Sequence, residues 1–121
     1  MKKVLIVEDQ VDVREVIRIT LELEDFAIHE APDGPTGLQL AASLRPDLML
    51  LDVMMPGGID GLQVCQRIKS DPALKRTKVV MLTARDQLAD RKAAASAGAD
   101  HYLAKPFSPI ELLNTVNRLL R

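Results

Sequence analysis

The sequence is poor in the residues and apolar runs that mark several classes of protein. Its 121 residues include one cysteine, one tyrosine, two phenylalanines and no tryptophan. The single cysteine, Cys65, excludes an internal disulfide and suits a reducing compartment. The first apolar run, Val4–Val7, is too short for a signal peptide or a membrane span. We therefore expect a cytoplasmic protein that does not associate with a membrane.

Neither sign of charge is in excess. Sixteen basic residues stand against seventeen acidic ones, for a net charge of −1 at pH 7, so we expect no direct binding of nucleic acid. Apolar residues make up 47% of the chain and aromatics only 2%, so Leu, Val, Ile, Met and Ala must build the core. A chain of this length is predicted to form one domain, residues 1–121.

Glycine is absent before Gly34, which argues against two rival functions. A nucleotide- or flavin-binding module would need a phosphate loop rich in glycine or hydroxyls after its first strand, but that turn carries Glu8 and Asp9, which repel phosphate. A phosphatase of the haloacid-dehalogenase type would place a second aspartate two residues after its nucleophile. After Asp52 that position is Met54, so the sequence argues against this enzyme too.

Two patterns alternate along the chain. Short apolar runs predict strands, and segments with apolar residues at spacings of three and four predict helices between them. The predicted strands are Val4–Val7, Phe26–Ala31, Leu48–Leu51, Val79–Leu82 and Asp100–Ala104. Five strands that alternate with five helices indicate an α/β domain with a parallel sheet covered on both faces.

The helical segments carry more local predictions. The first helix repeats apolar residues at Val13, Val16, Ile17 and Leu21. These spacings of three and four predict a helix. Cys65 lies on the apolar stripe of the third helix and is expected in the core. Ser108 is predicted to cap the last helix, with Pro109 in its first turn.

Charged residues follow the predicted strands. In an open parallel sheet, functional groups gather at the carboxyl ends of the strands. Those ends carry Glu8, Asp9, Asp52, Thr83 and Lys105. Three carboxylates repel one another unless cations intervene, and Lys105 supplies only one positive charge. A divalent ion would bring the formal charge to zero, and oxygen-only ligands suit Mg²⁺, which also binds phosphate oxygens.

Four segments at these strand ends carry a resemblance to a known family: VLIVED, LMLLDVMMP, VVMLTA and YLAKPF. Together they resemble the receiver domain of two-component response regulators, in particular the chemotaxis type, from Lys3 to the end of the chain. The resemblance implies a single flavodoxin-like three-layer domain with strand order 2-1-3-4-5. It also implies a phosphorylation-activated switch rather than an enzyme: Asp52 would accept a phosphoryl group from a sensor histidine kinase or a phosphotransfer protein.

The resemblance also implies roles for the other site residues. The Mg²⁺ ligands would be Glu8, Asp9, Asp52 and the backbone carbonyl of Met54. Lys105 would pair with the phosphoryl oxygens. Thr83 would hydrogen-bond the phosphoryl group, and Tyr102 would turn inward behind it. The Lys105–Pro106 peptide bond is expected to be cis, which proline makes inexpensive.

The output face implied by the resemblance comprises the fourth helix, the fifth strand and the fifth helix, residues 87–121, with Tyr102 at its centre. Regulators with winged-helix DNA-binding domains dimerise through charged pairs on this face. The chain has only part of such a set: Asp90, Arg91, Asp100 and Glu111. Because residues 93–97 are alanine and serine alone, we expect a monomer or weak dimer that acts on an output protein or domain outside this chain.

Three points stay open at this stage. The loop MMPGGIDG after Asp52 has one residue more than the family pattern, and we expect Gly57 and Gly58 to make it mobile. The chain could be a stand-alone receiver or a piece of a longer regulator. An alternative function is a receiver-like module that binds partners without phosphorylation.

Overall fold

The structure, a computed structural model, describes residues 1–55, 58–84 and 88–120, with the backbone alone for residues 88–90. Strands and helices alternate along the chain. The strands are β1 (Lys2–Val7), β2 (Phe26–Ala31), β3 (Leu48–Asp52), β4 (Lys78–Ala84) and β5 (His101–Lys105). The helices are α1 (Val11–Leu21), α2 (Gly34–Leu44), α3 (Gly61–Ser70), α4 (Leu88–Ser96) and α5 (Pro109–Leu119).

The five strands form one parallel sheet in the order β2-β1-β3-β4-β5. This is the predicted order, and the flavodoxin-like (βα)5 fold is confirmed. β1, β3 and β4 occupy the interior of the sheet, and their apolar runs are buried on both faces. Burial on both faces explains why these three runs are continuous rather than alternating.

Side chains that alternate along each strand divide the core into two layers. One layer lies between the sheet and α1 and α5, and the strand side chains in it include Ile6, Leu50 and Leu82. The other lies between the sheet and α2, α3 and α4 and includes Leu51 and Met81. In the described parts of the chain, the fully buried apolar side chains are aliphatic or sulfur-containing, as the scarcity of aromatic residues predicted.

The local predictions for α3 and α5 are confirmed. Cys65 is completely buried, and burial raises the pKa of its thiol to about 11. The Ser108 hydroxyl accepts a hydrogen bond from the Glu111 N–H, and the Glu111 carboxylate accepts one from the Ser108 N–H. Pro109 occupies the first turn of α5, where the missing N–H has no intrahelical partner to lose.

The apolar residues of the α1 repeat are not all buried. Val16 is 56% exposed, although Ile17 and Leu21 of the same repeat are fully buried. A helix on a sheet buries a limited sector, and here Ile17, Thr20 and Leu21 fill it. Because Val16 lies outside this sector, α1 has an exposed apolar side.

The boundaries of the last strand are also shifted by one residue. β5 begins at His101 because Asp100 is used otherwise: its carboxylate accepts the Val79 N–H at 2.8 Å and pairs with Lys69 at 2.7 Å. The strand continues through Lys105, which pairs with Ala84. Asp52 is the last residue of β3 rather than the residue after it, and β4 extends one residue beyond Thr83. None of the described helices has the length and hydropathy of a membrane span.

Candidate functional site

Three strands bring charged side chains to the carboxyl edge of the sheet. The register pairs Val7 of β1 with Leu51 of β3, so the following residues, Glu8 and Asp52, lie side by side. Alternation along the strands puts both on the α1/α5 side of the sheet, after Ile6 and Leu50. Lys105 reaches the same side from β5, two residues after Leu103.

The predicted carboxylates and Lys105 are in contact. The Lys105 Nζ lies 2.8 Å from Glu8 Oε1 and 3.4 Å from Asp52 Oδ2. Glu8 is completely buried and Asp52 is 6% exposed. Asp9, half-buried, completes a group in which one oxygen of each carboxylate lies within 4.8 Å of the others. The sequence therefore identified a real spatial cluster.

The ammonium group of Lys105 is held in its charged form. Its burial would lower the pKa, but the hydrogen bond to Glu8 and the negative charges of Asp52 and Glu8 outweigh that cost. The pKa of Lys105 is therefore raised above its usual value. A permanent cation at this position offsets part of the carboxylate charge and is available to a second anion.

Backbone N–H groups orient the two innermost carboxylates. The Gln10 N–H donates to Glu8 Oε2 at 3.2 Å, and the Met54 N–H donates to Asp52 Oδ1 at 3.2 Å. Each carboxylate thus divides its oxygens between a backbone N–H two residues later and the Lys105 ammonium. Met54 itself is 73% exposed.

Gly61 allows α3 to begin directly against Asp52. A Cβ at position 61 would collide with the carbonyl oxygen of Asp52. The Gly61 N–H donates to Val53 O at 2.9 Å, and the Asp60 carboxylate accepts the Gln63 N–H to cap α3. The loop after Asp52 is therefore anchored where it returns to the domain. Pro56 and Gly57 of the predicted mobile loop lie outside the described residues, and Gly58 has a left-handed φ of +83°.

Thr83 and Tyr102 lie on the other side of the sheet from Lys105. Thr83 is 3% exposed and follows Met81 in the layer beneath α3 and α4. Tyr102, half-buried, packs against the same layer, and the Arg91 guanidinium lies 4.2 Å from the centre of its ring. The two residues therefore share a face, which is the arrangement that a coupled movement would need.

Sequence reasoning missed Arg14 on α1. Its guanidinium donates to the Glu8 backbone carbonyl at 2.8 Å and pairs with Glu30 at the end of β2 at 3.2 Å. Arg14 thereby ties the loop of Glu8 and Asp9 to the neighbouring strand. The sequence signal for Arg14 would have been a basic residue in the first turn of a helix that follows two acidic residues. The polar side of α1 carries several charged residues, however, so this signal does not single out Arg14.

An apolar groove beside Lys105 was also missed, because the apolar repeat of α1 indicated a helix but not which of its residues stay exposed. The groove has a volume of about 440 Å³ and is lined by Val13, Val16, Pro106 and Phe107 together with Lys105 itself. Val11, one turn earlier on α1, is 62% exposed. Exposed apolar surface next to a charged site is typical of a docking surface.

The chemistry of the acidic cluster fits Mg²⁺. Glu8, Asp9 and Asp52 offer hard oxygen ligands within reach of one ion, and the described residues around them add no thiolate or imidazole to the group. Few protein carboxylates suit an ion that keeps water and binds phosphate oxygens. One lysine against three carboxylates leaves a charge deficit that a divalent cation would remove.

Comparison with known proteins yields one family. The response regulator receiver domain matches residues 4–117. The chain is 40% identical to the DNA-binding dual master transcriptional regulator RpaA of Synechocystis sp., over 100% of this chain and 50% of that protein. It is 42% identical to the transcriptional regulatory protein ResD of Bacillus subtilis, over 98% of this chain and 48% of that protein. The chain thus spans about half the length of these relatives.

The fold comparison agrees with the sequence comparison. The structure of the chemotaxis protein CheY4 of Vibrio cholerae superimposes with a TM-score of 0.91, at 32% identity, over 99% of each chain. The superposition covers almost all of both chains, so the similarity extends beyond the motifs to the whole fold.

Proposed function

Because the chain belongs to the response regulator receiver domain family, we propose that it is a phosphorylation-activated switch in which Asp52 accepts the phosphoryl group. The proposal rests on one observation above all. Asp52 lies at the end of a central strand, 3.4 Å from the Lys105 ammonium and within a group of three carboxylates. A nearly buried carboxylate with this surrounding is suited to phosphoryl transfer.

The proposed reaction is a displacement at phosphorus. An Asp52 carboxylate oxygen attacks the phosphorus of a phosphohistidine on the donor, and a P–O bond forms as the P–N bond breaks. The electron pair of the broken bond stays on the imidazole nitrogen, which takes a proton from solvent. Because the nucleophile is a carboxylate, no general base is required. Lys105 holds the phosphoryl oxygens, and the protein acts as a switch rather than on a separate substrate.

The same site is proposed to hold Mg²⁺. Glu8, Asp9, Asp52 and the backbone carbonyl of Met54 are the candidate ligands. When bound, the ion neutralises charge on the phosphoryl oxygens. Gln10 and Arg14 assist by holding Glu8 through the hydrogen bonds to its carboxylate and its carbonyl.

The apolar groove suggests where the donor docks. A donor histidine must approach Asp52 closely, so the donor's surface must cover the neighbouring side of the domain. The groove formed by Val13, Val16 and Phe107 lies there, beside Lys105. We expect an apolar helix of the histidine kinase or phosphotransfer protein to occupy it, since helices with apolar faces bind such grooves.

The output is proposed to be a population shift on the face of α4, β5 and α5. Phosphorylation raises the charge at Asp52 from about one negative to about two, and Thr83 responds by hydrogen-bonding the new oxygens. Tyr102, on the same side of the sheet, then leaves its contact with Arg91 and turns inward. Such a shift favours a state that already exists rather than creating a product.

Intramolecular contacts support a monomer or weak dimer on this face. The Asp100 carboxylate is engaged by Lys69 and the Val79 N–H, Glu111 caps α5, and Arg91 covers Tyr102. Side chains already occupied within the domain contribute less to pairs between two domains. Asp90 is the remaining member of the charged set, and its side chain is outside the described part of the structure. Gln87 and Arg121, at the ends of the predicted face, lie outside the described residues altogether.

The test is labelling by acetyl phosphate with Mg²⁺. The parent is expected to take one phosphoryl group and Asp52→Asn none, while the variant keeps its circular dichroism spectrum. Tyr102 is the only tyrosine and there is no tryptophan, so beryllofluoride, a phosphoryl mimic, should change tyrosine emission in the parent alone. Equal labelling of the variant would refute the assignment. A parent that takes no label yet binds a partner would favour the alternative, a module that works without phosphorylation.

A further inference from the structure

A second charged cavity lies at the opposite end of the sheet, beside the amino ends of β1, β3 and β4. Its volume is about 300 Å³, and among the described residues its lining includes the cations Lys2, Arg45, Arg76 and Lys78 with a single carboxylate, Asp47. We call these five residues the basic cleft. The whole chain carries a net charge of −1, so four cations in one cavity are a marked local excess.

The protein itself does not neutralise the basic cleft. Within residues 1–55, 58–84 and 88–120, the four cations form no ion pair, whereas Arg14, Arg18, Lys69 and Lys105 each pair with a carboxylate. Asp47 carries one negative charge against four positive ones and forms no ion pair with them, and one of its oxygens accepts the Lys3 N–H at 2.7 Å. The basic cleft therefore presents uncompensated positive charge to solvent.

Hydrogen bonds hold together the loops beneath the basic cleft. The Thr77 hydroxyl donates to Pro46 O at 2.7 Å, which joins the loops that carry Arg76 and Arg45. The Lys78 N–H donates to Asp47 O at 3.0 Å, and Lys69 Nζ donates to the carbonyls of Lys75 and Thr77. Loops held in this way position their side chains without a large ordering cost on binding.

Arg45 stands in a backbone conformation that favours glycine. Its φ is +48° at the end of α2. Among the described residues, Arg45 is the only non-glycine residue with a positive φ. Helices commonly end on a glycine or asparagine at such a position. A strained non-glycine residue is a reason to look for a function of its side chain, and this side chain lines the basic cleft.

We propose that the basic cleft binds a small polyphosphate anion, either free or as the phosphates of a nucleotide. Several cations around one concave surface match a ligand with several adjacent negative charges, and arginine forks bind phosphate oxygens in pairs. The volume is suited to a few phosphate groups rather than to a protein segment. Leu119 and Leu120 form an apolar wall of the same cavity, on which the base of a nucleotide could lie.

Titration calorimetry with sodium tripolyphosphate at low salt tests the proposal. Mg²⁺ is omitted and Asp52→Asn is the background, so the result does not depend on the phosphorylation site. We expect one site per chain. Arg76→Ala and Arg45→Gly should each weaken binding about fivefold, the change expected from losing one charge-assisted contact on an exposed surface.

Arg45→Gly separates this role from a structural one. Glycine fits the left-handed conformation, so the variant should keep or raise its melting temperature while it loses affinity. Lys92→Ala removes an equal charge from α4, outside the basic cleft, and should change affinity by less than about twofold. ATP that binds more tightly than tripolyphosphate would identify a nucleotide, and equal affinities would identify the phosphates alone.

Three results would overturn the proposal. One is the absence of tripolyphosphate binding at low salt. Another is an equal loss in Lys92→Ala and in the cleft variants, which would indicate general charge attraction. The third is tighter binding of a short DNA duplex than of tripolyphosphate with the same dependence on Arg45 and Arg76, because the basic cleft would then be a nucleic-acid contact.

Discussion

The two ends of the sheet hold charge in opposite ways. At the carboxyl end, Glu8 and Asp52 are almost fully buried and both contact Lys105. At the amino end, the cations of the basic cleft are exposed and have no partner among the described residues. Burial makes the difference, because a charge removed from water needs a counter-charge or hydrogen bonds, whereas an exposed charge is stabilised by water alone.

This contrast predicts unequal sensitivity to mutation. Changes at the carboxyl end disturb a packed network in which strands, loops and the start of α3 meet. Changes at the amino end remove side chains that stabilise little in the folded protein.

The largest effect is expected at Gly61. In Gly61→Ala the new Cβ meets the Asp52 carbonyl oxygen, so β3 and α3 must separate, at a cost of about 3 kcal/mol in the free energy of unfolding. Urea denaturation measures it. The control is Gly58→Ala, where a Cβ meets open space but φ is +83°, at about 1 kcal/mol. Equal losses in the two variants would contradict the close approach at Asp52.

Lys105→Met should have the next largest effect. It leaves the Glu8 and Asp52 carboxylates facing each other without their cation, and we expect a loss of about 2 kcal/mol at neutral pH, reduced from the fully buried case by partial exposure of Lys105. Addition of Mg²⁺ should recover part of this stability. Lys92→Met, which removes an exposed cation on α4, should cost less than about 0.5 kcal/mol.

The pH dependence of this loss follows from the raised pKa of Lys105. The hydrogen bond to Glu8 and the charge of Asp52 raise that pKa above 10.5 despite burial of the ammonium. The stabilisation by Lys105 is therefore complete below pH 10.5 and is lost as the pH rises through the folded-state pKa. From neutral pH up to that pH, where Glu8 and Asp52 keep their charge, thermal unfolding should show a constant difference between parent and Lys105→Met. A difference that vanishes in mildly alkaline buffer would contradict the contact.

Arg14→Ala should produce a smaller effect, on metal binding rather than on stability. The loop of Glu8 and Asp9 loses the hydrogen bond that Arg14 donates to the Glu8 carbonyl, so Mg²⁺ affinity should fall about fivefold by titration calorimetry. Arg18→Ala is the matched control, because Arg18 also pairs with Glu30 but is not bonded to Glu8. An equal loss of affinity in Arg18→Ala would assign the effect to Glu30 instead.

The smallest effect is expected at the amino end. Lys2→Ala with Lys78→Ala should raise stability by a few tenths of a kcal/mol at low salt, since like charges in the basic cleft repel one another. High salt should remove the gain, because exposed charges are screened. Thermal unfolding at two salt concentrations measures it. A loss of more than about 1 kcal/mol would show that these lysines stabilise the fold and that the contrast between the two ends is wrong.

Most of the fold and much of the site could be predicted from the sequence. Apolar runs of four or more residues located β1, β3 and β4, and the charged residues that end those runs fell at one edge because parallel strands share a direction. Glu8, Asp52 and Lys105 were found for this reason. Strand ends were less accurate: Asp100 was assigned to β5, but its carboxylate bonds to Val79 and Lys69, contacts that no local pattern reveals.

The sequence alone predicts the alternation of strands and helices, the aliphatic core and the charged residues that reach the carboxyl edge. Tertiary packing then sets which charges meet and which sector of each helix is buried. Arg14 reaches the Glu8 carbonyl, Val16 points outward beside Lys105, and Arg45 lines a cavity with Arg76. Chain direction and periodicity do not predict these contacts, because the contacts depend on the distances and angles at which helices and strands pack.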